Sequence, residues 1–230
     1  MRESRALPKN AERLAIVRLA RDSAIELILT SILLFGVVTI VRWVIGPSPI
    51  SHAIPGIHAE LWIVGAAVAL LLAGLILSPP GRASGGHTNP AISLAMWRFG
   101  VFPGAGVFSY TIAQLLGSVV GVVTARGVWG HVVAEPPVGY AALRPGLGWS
   151  TWELFATEAV GMAVIVFVVG LCLAVQRLTP FVPWIVGSLV GIGIAVLGTA
   201  TGGSLNPVRQ LGPAVVSGQT QFLWVYLVAR

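Results

Sequence analysis

Cysteine is nearly absent from this chain. Its one copy, Cys172, sits inside an apolar run, so no disulfide framework is possible and the residue reads as a small buried filler. Charge is scarce as well. Asp, Glu, Lys and Arg supply 10% of the 230 residues, against roughly 25% in a soluble domain. Lysine occurs once beside thirteen arginines, a bias that suggests GC-rich coding and a bacterial source. There is no His/Asp/Glu cluster, no His-Glu-x-x-His spacing and no activated Ser or Cys pattern. Enzyme chemistry, a metal site and a cofactor are therefore not expected. His52 and His58 are six apart, weak evidence for a metal, and read as exposed loop residues. A cleavable signal peptide is not expected either, because the first twenty or so residues are polar and basic with no small-residue cleavage site.

Apolar residues are what the chain has: 56% of the total, with a mean hydropathy of +0.88. A spanning helix needs about 20 such residues, and five stretches supply them: 24–45, 59–78, 104–125, 152–174 and 181–199. The last nine residues, FLWVYLVAR (222–230), rise only about 13 Å as a helix, under half of a ~30 Å hydrocarbon core. They read as the first part of a sixth span that has been cut off.

Arg2, Arg5, Lys9, Arg13, Arg18 and Arg21 precede the first span. By the positive-inside rule this end is expected in the cytoplasm. Arg82, Arg98 and Arg177 then fall on the same side, while Arg126 and Arg144 fall outside with Arg42 at the border. Residues 1–22 are read as a basic cytoplasmic tail and 23–230 as one membrane domain. Six charges beside a span orient it in the bilayer, a better account than nucleic-acid binding.

One short polar phrase occurs twice: SGGHTNPAIS at 84–93 and TGGSLNPVRQ at 201–210. Each follows a span carrying an early glutamate, Glu26 or Glu158, and a second span. The chain thus divides into a repeat over 23–125, a Pro- and Gly-rich outer connector over 126–150 and a second repeat over 151–230, its last helix incomplete. Three spans per repeat is an odd number, so the halves enter the membrane in opposite senses. An inverted repeat places its functional site near the bilayer midplane.

Asn is a favoured N-cap and Pro a favoured first helical residue. Asn89-Pro90 and Asn206-Pro207 therefore each start a helix, over about 89–98 and 206–216, too short to cross. Gly85, Gly86, Gly202 and Gly203 permit the irregular backbone before them. Such backbone survives at membrane depth only when buried in protein or lining a watery cavity. Two half-helices meeting at the midplane imply a passage faced by positive dipole ends and two asparagine amides. The expected fold is all-α: three spans and one half-helix per repeat.

HTNPA (87–91) and LNPVR (205–209) resemble the paired Asn-Pro-Ala boxes of the major intrinsic proteins, the aquaporins and aquaglyceroporins. TGGSLNPVRQLGPAVVSG followed by LWVYLVA is similar to the nodulin-like branch and its bacterial relatives. Val208, where most members have Ala91's counterpart alanine, is a departure expected to alter packing more than chemistry. The resemblance implies a homotetramer in the cell membrane, one passage per chain, and small uncharged solutes and water as partners.

It also implies site residues. Arg209 would form the narrowest point near the outer mouth, donating to solutes and repelling cations. Counting from the asparagines completes a ring of Ala69, Ile194, Gly203 and Arg209, wide and mostly apolar. Ala-Ile-Gly-Arg is similar to the subgroup associated with boric acid and other small hydroxylated solutes; water-selective members carry an aromatic and a histidine. Gly85, Gly86, His87, Thr88, Gly202, Ser204 and Leu205 are candidates for passage lining, by side chain or carbonyl. Glu26 and Glu158 are expected to brace the two loops as structural acids. Gln114 reads as a satisfied polar group between helices. A secondary transporter, which also uses inverted repeats, and a water-selective aquaporin are the alternatives.

Overall fold

Every regular element among the described residues is helical. The computed structural model describes residues 9–229, with side chains from Asn10 onward; Arg2, Arg5, the side chain of Lys9 and Arg230 lie outside the described residues. In chain order the helices are α1 (Lys9–Val44), α2 (Pro49–Ala53), α3 (Ile57–Leu77), α4 (Pro79–Ser84), α5 (Pro90–Arg98), α6 (Gly104–Trp129), α7 (Thr151–Ala174), α8 (Val182–Leu197), α9 (Pro207–Ser217) and α10 (Leu223–Val228). The five stretches expected to span are the five helices long and apolar enough to cross a membrane.

Helix α1 begins well before the expected 24. Residues 9–22 are rich in Leu, Ala and Arg, good helix formers, and Arg18 pairs with Asp22 one turn on at 3.7 Å. The boundary read at 22/23 therefore falls inside a continuous helix. Helix α4 was also not anticipated. Ser78 caps it by accepting from the Gly81 N–H at 3.1 Å, two prolines open it, and Gly85 closes it with φ +96°.

The two short helices start as their sequence dictates. Asn89 is extended (φ −156°) and its side chain accepts from the Ala91 N–H. Asn206 repeats this (φ −160°) with the Val208 N–H. Pro213 lies inside α9, and Ser118 of α6 intervenes in the turn before it. Its hydroxyl accepts from the Gly212 N–H at 2.8 Å and donates to the Val208 carbonyl. Those two backbone groups would otherwise bond each other, so a neighbouring helix supplies what the opened turn lacks. Val208 itself is wholly buried.

Glycines set how closely the helices pack, within the first repeat and between the two. A Cβ on Gly117 or Gly121 of α6 would lie 2.5 or 2.3 Å from the α1 carbonyls of Leu27 and Ser31. Across the other side, Gly191 of α8 would meet the Gly65 carbonyl of α3 at 2.5 Å. Both are spaced Gly-x-x-x-Gly or close to it (117/121, 187/191), the small-residue pattern that lets membrane helices approach backbone to backbone. Lipid gives little hydrophobic drive between helices, so this contact area matters. Outward faces are apolar, with Trp62, Phe108 and Phe167 exposed. Cys172 is buried, as expected of a filler.

Candidate functional site

Helices α5 and α9 meet N-terminus to N-terminus, and the two asparagines tie the meeting point. Asn89 Nδ2 donates to the Leu205 carbonyl at 3.0 Å, and Asn206 Nδ2 donates to the Thr88 carbonyl at 2.9 Å. Each Oδ1 caps its own helix. One N–H of each amide is thus spent across the repeat axis, where both had been expected to face the passage.

The accepting carbonyls are aimed by an unusual backbone. Thr88 has φ +45° and Leu205 φ +48°, equivalent positions in the two loops. A left-handed, non-glycine residue costs on the order of 1–3 kcal/mol and persists only where its surroundings over-determine it. The over-determination comes from the two glutamates. Glu26 Oε1 accepts from Ser84 Oγ at 2.7 Å and the His87 N–H at 3.0 Å. Its Oε2 accepts from the Thr88 N–H at 2.7 Å and Gln114 Nε2 at 2.9 Å. Glu158 accepts from Thr201 Oγ1 and the Ser204 N–H on one oxygen and the Leu205 N–H on the other. Both acids are fully buried.

A tyrosine pair that the sequence did not flag completes each brace. Tyr110 Oη donates to the Ser84 carbonyl at 2.7 Å, and Tyr226 Oη to the Thr201 carbonyl at 2.6 Å. Their near-equal distances from the preceding asparagine, 21 and 20 residues, were the available signal.

His87 is the main asymmetry between the loops; Ser204 stands at its counterpart. Ser93 Oγ donates to the Asn89 carbonyl and lies 3.0 Å from His87 Nδ1. The Ser93 hydroxyl thus links the imidazole to the first turn of α5. The ring packs edge-on against Phe102 and Tyr110.

A cavity runs past this junction. Its polar lining is His87, Thr88, Asn89, Ser204, Asn206 and Arg209; the rest is aliphatic, including Val37, Leu72, Ile165 and Val190. A second cavity is lined by Leu61, Val64, Gly202 and Ala141 among others. Ile194 and Arg209 line both cavities, so they stand where the two meet. Arg209 Nη1 donates to the Ala141 carbonyl at 2.7 Å. The connector therefore folds back onto the cavity lining at Arg209.

Two ring positions differ from the expectation. Ala69 lies outside both linings. The α3 face on the passage carries Val68 and Leu72, and Ala69, about 100° further round the helix, meets α8 at Gly187 and Gly191. Gly203 also packs on α8. It has φ +58°, and a Cβ there would lie 2.4 Å from the Gly193 carbonyl, so bulk at 203 displaces backbone before it narrows the passage. Of the other candidates, Gly85, Gly86 and Leu205 line neither cavity. The Leu205 side chain instead fills the space beside Gly161 and Gly193. Gln114 is buried with its Nε2 donating to Glu26, but its Oε1 is buried without a hydrogen-bond partner, so the group expected to be satisfied is only half so. His52 and His58 are exposed but stand on α2 and α3 rather than in loops, and no group of metal-ligating residues occurs among the described residues.

Two capped half-helices, clasped tip to tip within an inverted repeat and bordered by a passage, define a membrane channel of the broken-helix class. The chain belongs to the major intrinsic protein family, whose model matches residues 13–230. It is 32% identical over 206 residues to the probable aquaporin NIP7-1 of Arabidopsis thaliana, covering 89% of this chain and 69% of that one. The probable aquaporin AqpM of Archaeoglobus fulgidus is 35% identical over 156 residues, 67% of this chain and 62% of the relative. Aquaporin NIP3-1 of Oryza sativa subsp. japonica is 35% identical over 165 residues, 71% of this chain and 51% of the relative. The chain thus spans between about half and two thirds of the length of these relatives. The X-ray structure of the aquaglyceroporin from Plasmodium falciparum matches with a TM-score of 0.71 over 92% of this chain and 90% of that one. At 23% identity that match speaks to the fold.

Proposed function

We propose that this chain is a passive channel for small uncharged polar solutes such as boric acid, arsenous acid, glycerol or urea. The passage wall carries the reading. Its polar lining, His87, Thr88, the two asparagines, Ser204 and Arg209, is set among otherwise aliphatic side chains. A polyol, boric acid, arsenous acid or urea can set its polar atoms against these groups and its remaining surface on the aliphatic wall. Water alone finds few fixed partners there. Ile194 and Arg209 form the neck, and Val68 takes the α3 place expected for Ala69.

Proton exclusion belongs to the same reading. The half-helix N-termini and the remaining asparagine N–H groups are donors, so a transiting oxygen accepts from both sides and a continuous proton wire is interrupted. A cytoplasmic N-terminus, a bacterial plasma membrane and a homotetramer complete the proposal, supported by the arginine distribution and the family resemblance.

The test is Ile194→Trp in proteoliposomes, followed by stopped-flow light scattering. Adding an indole at the neck is expected to lower glycerol and boric acid flux at least about tenfold, with unchanged melting behaviour. Unaltered fluxes would place the neck elsewhere. Uphill accumulation driven by a proton or sodium gradient would favour a secondary transporter.

A further inference from the structure

We infer that Gln210 is a positioning residue: it staples the connector to α9 so that Ala141 holds Arg209 at the neck. The inference rests on the channel reading above. Gln210 directly follows Arg209, so the two side chains leave α9 about 100° apart. One reaches the passage and the other reaches the connector. Gln210 is 1% exposed. Its Oε1 accepts from the Leu143 N–H at 2.8 Å, and its Nε2 donates to the Leu143 carbonyl at 3.0 Å. Two residues earlier, the Ala141 carbonyl accepts from Arg209 Nη1.

The amide type is required. A primary amide offers one acceptor and one donor at the spacing of a peptide group, so it pairs with Leu143 as a neighbouring strand would. Glutamate cannot donate to the Leu143 carbonyl, and asparagine is one methylene too short to reach both atoms. The connector also needs holding. Tyr140 and Ala141 both have φ +57°, two consecutive non-glycine residues in the left-handed region. That conformation turns the Ala141 carbonyl toward Arg209, and it lasts only while the flanking chain is fixed. Without the staple the turn relaxes, the carbonyl moves, and the guanidinium loses its bond to Ala141. A guanidinium that has lost this bond discriminates less sharply among polar solutes.

The experiment compares the unmodified chain with Gln210→Ala and Gln210→Asn in lipid nanodiscs and proteoliposomes. Amide hydrogen exchange over 139–146 reads the staple without any need for transport. Glycerol and urea fluxes on the same proteins read selectivity, and their ratio is insensitive to partial loss of folded protein, which lowers both together. At least tenfold faster exchange over 139–146 in Gln210→Ala, with at least a threefold change in the flux ratio, is the expected result; Gln210→Asn should fall between. Unchanged exchange overturns the staple. Faster exchange with an unchanged ratio overturns the positioning role. An unmodified chain that passes neither solute overturns the channel reading, and the role with it.

Discussion

Replacing Arg209 with alanine is expected to raise the leak of protons and cations through the passage. Arg209 stands at the neck with one nitrogen on the Ala141 carbonyl. A unit charge about 4 Å from a passing cation, at an effective dielectric near 20, contributes about 4 kcal/mol of repulsion. That is close to a thousandfold in rate. Screening by water in the passage reduces it, so at least a tenfold rise in proton or potassium leak is the expected outcome. A pH-sensitive dye inside proteoliposomes, under a clamped potential, measures it directly. Arg209→Lys keeps the charge as a point but loses the planar fork, so it should stay proton-tight while its solute ratios shift. If the alanine variant leaks no more than the unmodified protein while still passing solute, the barrier lies at the asparagines alone.

The second large effect concerns folding. Glu158→Ala leaves the Thr201 hydroxyl and the Ser204 and Leu205 N–H groups without their acceptor in a fully buried site. Each buried donor so orphaned costs about 1–3 kcal/mol, and three of them approach the whole stability of a typical domain, about 5–15 kcal/mol. Little folded protein is expected, with collapse of the gel-filtration peak on mild heating. Glu26→Ala should behave alike, since four donors depend on it. Glutamine at either position keeps one acceptor oxygen and should fall between. Alanine variants that stay folded but lose coupling to a proton gradient would instead make these acids relay groups and revive the transporter reading.

The parts of the site that follow from local chemistry were legible in the sequence. Asn-Pro caps start helices wherever they stand, so α5 and α9 could be placed to within a residue. The family resemblance pointed the glutamates to the loops, and their occurrence once per repeat favoured a structural role. Helical phase was harder. Ala69 and Val68 are neighbours, and which one meets the passage depends on how Gly65 and Gly191 let α3 and α8 cross. A count along one chain does not contain that crossing. The left-handed Thr88 and Leu205 run against the local preference of their residue types, and only bonds from distant residues hold them there. Gln210 looked like any polar residue after the motif, because its partner Leu143 lies in a connector with no regular pattern.

The crossed asparagine bonds also bear on how the protein is made. Asn89 finds its carbonyl 116 positions further along the chain. At about 5–20 residues per second, a ribosome takes roughly 6–23 s to cover that distance. Through that interval the first loop has its glutamate but no partner across the axis, and nothing yet exists for Asn89 to grip. The spans of the first half thus enter the bilayer ahead of the junction they will frame. The midplane closes only when Leu205 arrives, and translation halted before that point leaves helices in the membrane around an unfinished centre.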